Sequence, residues 1–137
     1  MRDAQAITPP LTDTSCRILL IEDNPGDARL FEEYLREGIS EIDLQWTEDL
    51  ASGLDALAEQ SPDVVVLDLG LPDSDGIDTV RRCIEAAPSV PVVVLTGDRT
   101  LDTALAAQQA GAAEYLQKGE LSPSLVERTL RWAQERT

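Results

Sequence analysis

An open α/β sheet wound on both faces is the fold class that this 137-residue sequence predicts, and three observations predict it. Apolar runs recur along the chain: "RILLI" (17–21), "DVVVL" (63–67), "VPVVVL" (90–95) and "AEYLQ" (113–117), with the weaker "IDLQWT" at 42–47. The two middle runs are valine-rich and continuous, the mark of strands covered on both faces in a parallel sheet. Between the runs lie amphipathic helical segments, so strand and helix alternate five times.

The elements follow in order. The first helix has Asn24 as N-cap, Pro25 at its first position, and Asp27 in a first turn that favours acids. Leu30, Phe31, Tyr34 and Leu35 form its inward stripe and Gly38 its stop. In "IDLQWT", Ile42, Leu44 and Trp46 alternate, which predicts an edge strand. A second helix is expected from about 51 to 60 with Leu54, Leu57 and Ala58 inward. A third runs from about 76 to 87 on Ile77, Val80 and Ile84. The fourth, about 100 to 110, is alanine-rich and stops at Gly111. Ser122-Pro123 opens a fifth, with Leu125, Val126, Leu130 and Ala133 inward.

A chain of this length fits one domain, predicted over 16–137 behind a flexible tail at 1–15 that contains a Pro-Pro pair. Net charge is −15, and of eleven basic residues only Lys118 is lysine. Nucleic acid is not an expected partner, since phosphates need basic residues to neutralise them. Abundant acid and arginine fit either a salt-loving source or a GC-rich genome. No apolar stretch is long enough to span a bilayer and no signal peptide is visible. Cys16 and Cys83 are isolated and histidine is absent, which argues against zinc, a redox motif, a disulfide framework and His-dependent nucleophiles. A cytoplasmic location is expected.

In open α/β sheets ligands bind outside the carboxyl ends of the strands. Glu22 and Asp23 follow "RILLI", Asp68 follows "DVVVL", Thr96 and Gly97 follow "VPVVVL", and Lys118 follows "AEYLQ". Taken singly, each has a plain structural explanation as a cap, turn or surface residue. Together they place three carboxylates, a hydroxyl and an ammonium on one edge. Clustered carboxylates need a cation, and oxygen donors without histidine or thiolate suit Mg²⁺. Such a set is equipped for phosphoryl transfer to a carboxylate.

The motifs "LLIEDNPGDARL", "VVVLDLGLPDSDG", "VVVLTG" and "EYLQKG", in this order, resemble the receiver domain of two-component response regulators over about residues 16–135. The resemblance implies a flavodoxin-like, five-stranded parallel sheet of order 2-1-3-4-5 with five helices. It implies that Asp68 accepts a phosphoryl group from a histidine kinase or histidine phosphotransferase. Asp23 would bind Mg²⁺ directly, Glu22 mostly through water, and the Gly70 carbonyl would add a ligand. Thr96 would hydrogen-bond the phosphoryl group and Lys118 pair with it. Tyr115 would be the switch aromatic, reshaping the face of the fourth helix, fifth strand and fifth helix for an effector protein, with room for a homodimer. The only catalysis implied is the domain's own phosphorylation and dephosphorylation.

Three departures stand out. Gly119 replaces the family's proline after the lysine; a cis bond to a non-proline residue costs about 3 kcal/mol, which favours a trans loop. Gly70 has no side chain where many relatives carry one. Only "RT" follows the fifth helix, so no output domain is expected here, although "LVERTLRWAQERT" also fits a helix continuing into a longer protein. Competing readings are weaker. A haloacid-dehalogenase-type phosphohydrolase needs an acid where Gly70 stands. A non-phosphorylated scaffold would not need the intact acid cluster, and GxxxxGK[ST] is missing for a P-loop.

Overall fold

The computed structural model describes residues 16–97 and 101–135; the tail at 1–15 and the expected helix start at Thr100 lie outside them. The elements are β1 (Cys16–Ile21), α1 (Pro25–Gly38), β2 (Ile42–Thr47), α2 (Leu50–Gln60), β3 (Val64–Asp68), α3 (Ile77–Ala86), β4 (Val92–Thr96), α4 (Leu101–Gln109), β5 (Glu114–Gln117) and α5 (Pro123–Glu135). All five strands are parallel, in the order β2-β1-β3-β4-β5 that the resemblance implied. Unanticipated was a small antiparallel ladder after β3, Gly70–Leu71 against Ser74–Asp75.

Strand alternation divides the core into two layers. Ile18, Leu20, Val64, Val66, Val93, Leu95 and Leu116 pack under α1 and α5 with Phe31, Leu35, Val126 and Leu130. Leu19, Ile21, Val65, Leu67, Val92 and Val94 pack under α2, α3 and α4 with Leu50, Leu57, Val80, Cys83 and Ala107. β3 and β4 are buried along their whole length, as their continuous valine runs require, and β2 and β5 take the edges. Full burial of a side chain such as Phe31 contributes about 1.5–3 kcal/mol.

Several helical stripes shift from their expected positions. In α1 Ala28 joins Phe31 and Leu35 inside, while Leu30 is exposed. In α2 Gly53, Ala56 and Leu57 are buried and Ala58 is exposed. Gly53 has its reason in packing: a Cβ there would stand 2.4 Å from Ile21 Cδ1. In α3 Thr79 and Cys83 are buried with Val80, and Ile77 and Ile84 cover the rim of the same cluster. Gly38 is not a left-handed stop. It is the last residue of α1, and a Cβ would lie 2.5 Å from the Pro123 carbonyl oxygen. It therefore lets α1 and the start of α5 approach closely.

Candidate acidic site at the carboxyl end of the sheet

Register places the site. Ile21 pairs with Leu67, Asp68 with Leu95, and Thr96 with Gln117. The residues that end or follow these strands thus meet along one edge. Counting on by two from Leu20, Val66 and Leu116 sends Glu22, Asp68 and Lys118 toward the α1–α5 side. Counting from Val94 sends Thr96 to the other side, which it shares with Tyr115.

Glu22 is completely buried and Asp68 is 6% exposed. Three bonds hold the Glu22 segment: its backbone N–H donates to Thr47 O at 3.0 Å, its Oε2 accepts from Asn24 N–H at 3.1 Å, and its carbonyl accepts from Trp46 Nε1 at 2.7 Å. Burial pushes its carboxyl from the ordinary 4.5 up to about 7, against the lowering pull of Lys118 and with the help of a hydrogen bond to Asp68. Asp68 Oδ1 accepts from Gly70 N–H at 3.3 Å. A Cβ on Gly70 would meet nothing within 4 Å, so the position is open toward solvent.

Lys118 stands among the acids. Its Nζ is 2.8 Å from Glu22 Oε1, 2.8 Å from Asp27 Oδ2 and 3.6 Å from Asp68 Oδ2. Burial alone would lower the ammonium's pKa, but Asp27 and Glu22 outweigh it and raise the value. The Lys118–Gly119 peptide is trans and opens a short 3₁₀ turn, Lys118–Glu120, and the lysine reaches the acids from that geometry. One carboxylate oxygen each from Glu22, Asp23 and Asp68 lies within 4.8 Å of the others. An oxygen-only set at this spacing fits a hard divalent cation.

Thr96 ends β4, 7% exposed and level with Gln117. Tyr115 is half-buried on β5, away from the acid cluster. It lines a groove of about 700 Å³ with Ile84, Ala104, Leu105 and Ala112, which includes none of Glu22, Asp23, Asp27 and Asp68. Sequence reasoning missed two further residues. Asp27 reads from the sequence only as a first-turn acid. Asp73, a turn residue by its neighbours, accepts from Leu50 N–H at 2.8 Å and Ala51 N–H at 2.9 Å, which hold its carboxyl below the usual range. The loop after Asp68 is thereby tied to the N-terminus of α2, a helix whose own cap is Asp49.

Residues 18–130 match the family model of the response regulator receiver domain. The chain belongs to this family. Like the receiver domains it resembles, it is homologous to the phosphoacceptor modules of response regulators and is a signalling domain. It is 36% identical over 113 residues to the KDP operon transcriptional regulatory protein KdpE of Escherichia coli K12, covering 79% of this chain and 48% of that protein. It is 32% identical over 99 residues to the regulatory protein LuxO of Vibrio cholerae, covering 72% and 21%. The receiver chain thus spans between about a fifth and a half of the length of such relatives. Among solved structures, a response regulator receiver domain protein from Clostridium thermocellum superposes with a TM-score of 0.75 at 29% identity, covering 88% and 95% of the two chains. The Mn²⁺-bound form of response regulator Rcp1 superposes at 0.68 with 27% identity, covering 85% and 90%. Among the described residues, no helix is long and apolar enough to cross a membrane.

Proposed function

We propose that residues 16–137 form a receiver that carries its phosphoryl group on Asp68, taken from a histidine kinase or histidine phosphotransferase in the cytoplasm. The observation that supports this most is the set of contacts around Lys118: one ammonium within 3.6 Å of Asp68 and within 2.8 Å of the buried Glu22. An Asp68 oxygen attacks phosphorus, the new O–P bond forms, and the P–N bond to the donor imidazole breaks with its electron pair leaving on nitrogen. In hydrolysis water attacks phosphorus, the Asp68 O–P bond breaks, and the carboxylate is restored. Lys118 offsets charge on the transferred group, and the Thr96 hydroxyl donates to one of its oxygens.

Glu22, Asp23, Asp68 and the Gly70 carbonyl are the candidate holders of Mg²⁺, which when bound neutralises phosphoryl oxygens. That a similar regulator has a Mn²⁺-bound form supports a divalent ion as ligand. Thr96 and Tyr115 share one side of the sheet, so a Thr96 drawn toward the phosphoryl group leaves room for Tyr115 to turn inward. The face of α4, β5 and α5 then changes shape for an effector or for a second copy of the chain. The domain's only chemistry is on itself.

The test is incubation with Mg²⁺ and acetyl phosphate, followed by intact mass. One acid-labile phosphoryl group per chain, absent in Asp68→Asn, is expected. Multiple turnover of unrelated phosphate esters, or equal labelling of the variant, would overturn the reading.

A further inference from the structure

Asp27 enters the sequence pattern only as a helix-start acid, yet it is one of the two nearest partners of the sole lysine. Its Oδ2 lies 2.8 Å from Lys118 Nζ, as close as Glu22 Oε1 and closer than Asp68 Oδ2 at 3.6 Å. An ammonium has three protons to donate. At rest its two closest contacts are Glu22 and Asp27, and Asp68 stands farther off. The backbone explains the placement. Asp27 N–H donates to Asn24 Oδ1 at 3.0 Å, which anchors the main chain at the start of α1 and leaves the carboxylate over the crevice. The Asp27 side chain keeps 39% exposure where Glu22 keeps none, so of the two contacts the one to Asp27 is the one water can replace.

We propose that Asp27 is a positioning residue that parks Lys118 beside the acceptor and sets how readily the ammonium moves onto a phosphoryl group there. The proposal rests on the reading of Asp68 as phosphoacceptor. A phosphoryl group on Asp68 brings charge and acceptor oxygens close to Nζ. Lys118 then exchanges its outer partner, Asp27, for the phosphoryl group and keeps Glu22, which cannot be left buried without it. The lysine's travel is a short swing between an outer and an inner anion. An amide at position 27 accepts a hydrogen bond but offers no charge, so Asp27→Asn loosens the resting hold while leaving the Asn24 cap in place.

The lone lysine makes this directly observable. The full chain labelled with [¹⁵N]lysine carries a single side-chain ammonium signal, from Lys118. In Asp27→Asn its proton exchange with water should quicken about tenfold, the size expected for one lost charge-assisted hydrogen bond. An unchanged exchange rate overturns the proposal, and this arm needs no phosphorylation. The second arm is affinity for beryllofluoride at saturating Mg²⁺. Asp27→Asn should bind this phosphoryl mimic several-fold more tightly, because no resting contact has to break. In a Lys118→Met background that gain should vanish. Equal tightening in both backgrounds assigns the effect to net charge alone and also overturns the proposal. If the native chain takes no beryllofluoride, the acceptor reading of Asp68 fails, and the exchange arm still decides whether Asp27 parks the lysine.

Discussion

Replacing Glu22 by glutamine should make the metal-free domain more stable at pH 8 than the native protein. Glu22 has no exposure, and burial lifts its carboxyl from 4.5 to about 7. Between those values the folded chain holds a proton that the unfolded chain releases. Native stability therefore falls as pH rises through this window and levels off above about 7. A gap of roughly 2.5 pH units at ~1.36 kcal/mol each amounts to about 3 kcal/mol. Glutamine mimics the protonated acid and keeps an acceptor for Asn24 N–H, so it escapes this penalty. For a domain of this size the difference corresponds to roughly 10 °C in Tm. The assay is thermal or urea unfolding of both proteins in EDTA from pH 4.5 to 8.5. Their stabilities should converge at the acid end and diverge upward in pH. A gap that stays flat from pH 5 to 8 would refute the argument that Glu22 is a strained buried acid.

Other substitutions test other contacts. Gly38→Ala puts a methyl group against the Pro123 carbonyl, where backbone cannot give easily, and should cost about 1–3 kcal/mol in urea unfolding. Trp46→Phe removes the donor to the Glu22 carbonyl and should cost about 1 kcal/mol. Adding Mg²⁺ to the native chain should change Trp46 fluorescence and leave that of Trp46→Phe unchanged, because the remaining Trp132 is exposed on α5 under Arg128, 5.5 Å away. Lys118→Arg should fold normally, checked by circular dichroism, but accumulate less phosphoryl group from acetyl phosphate, since a planar fork cannot replace a compact ammonium among three acids. With a net charge of −15, Tm should climb as KCl is raised from about 0.01 M to 1 M, over which the screening length shrinks from roughly 30 Å to 3 Å. Flat melting temperatures would dismiss self-repulsion as a term in this protein's stability.

Much of the architecture was legible because strand burial leaves a direct trace. "DVVVL" and "VPVVVL" could only be covered on both faces, and the acids, threonine and lysine stood at the strand ends where parallel sheets present ligands. What escaped was of two kinds. Helix faces drift where glycine or a small residue carries the packing: Gly53 against Ile21 hides from a hydrophobicity pattern, and Ala28 holds the core place that periodicity assigns to Leu30. Contacts across long separations escaped too. Nothing in "NPGDARL" announces that Asp27 will meet Lys118, and nothing in "LPDSDG" announces that Asp73 will hold the start of α2. Spacing reveals periodicity within an element, whereas these pairs depend on how elements dock.

The distance along the chain between Asp27 and Lys118, 91 residues, carries a consequence for biogenesis. Glu22, Asp23, Asp27 and Asp68 all emerge from the ribosome before the ammonium that offsets them. The edge strand β5 brings that charge in only after the other four strands have been made. Until it docks, the acids crowd one edge without their protein counter-charge, and the Lys118 contacts to Glu22, Asp27 and Asp68 cannot form. On the proposed reading of Asp68, only a sheet folded through to β5 could receive a phosphoryl group, which makes acceptance a check on the fold.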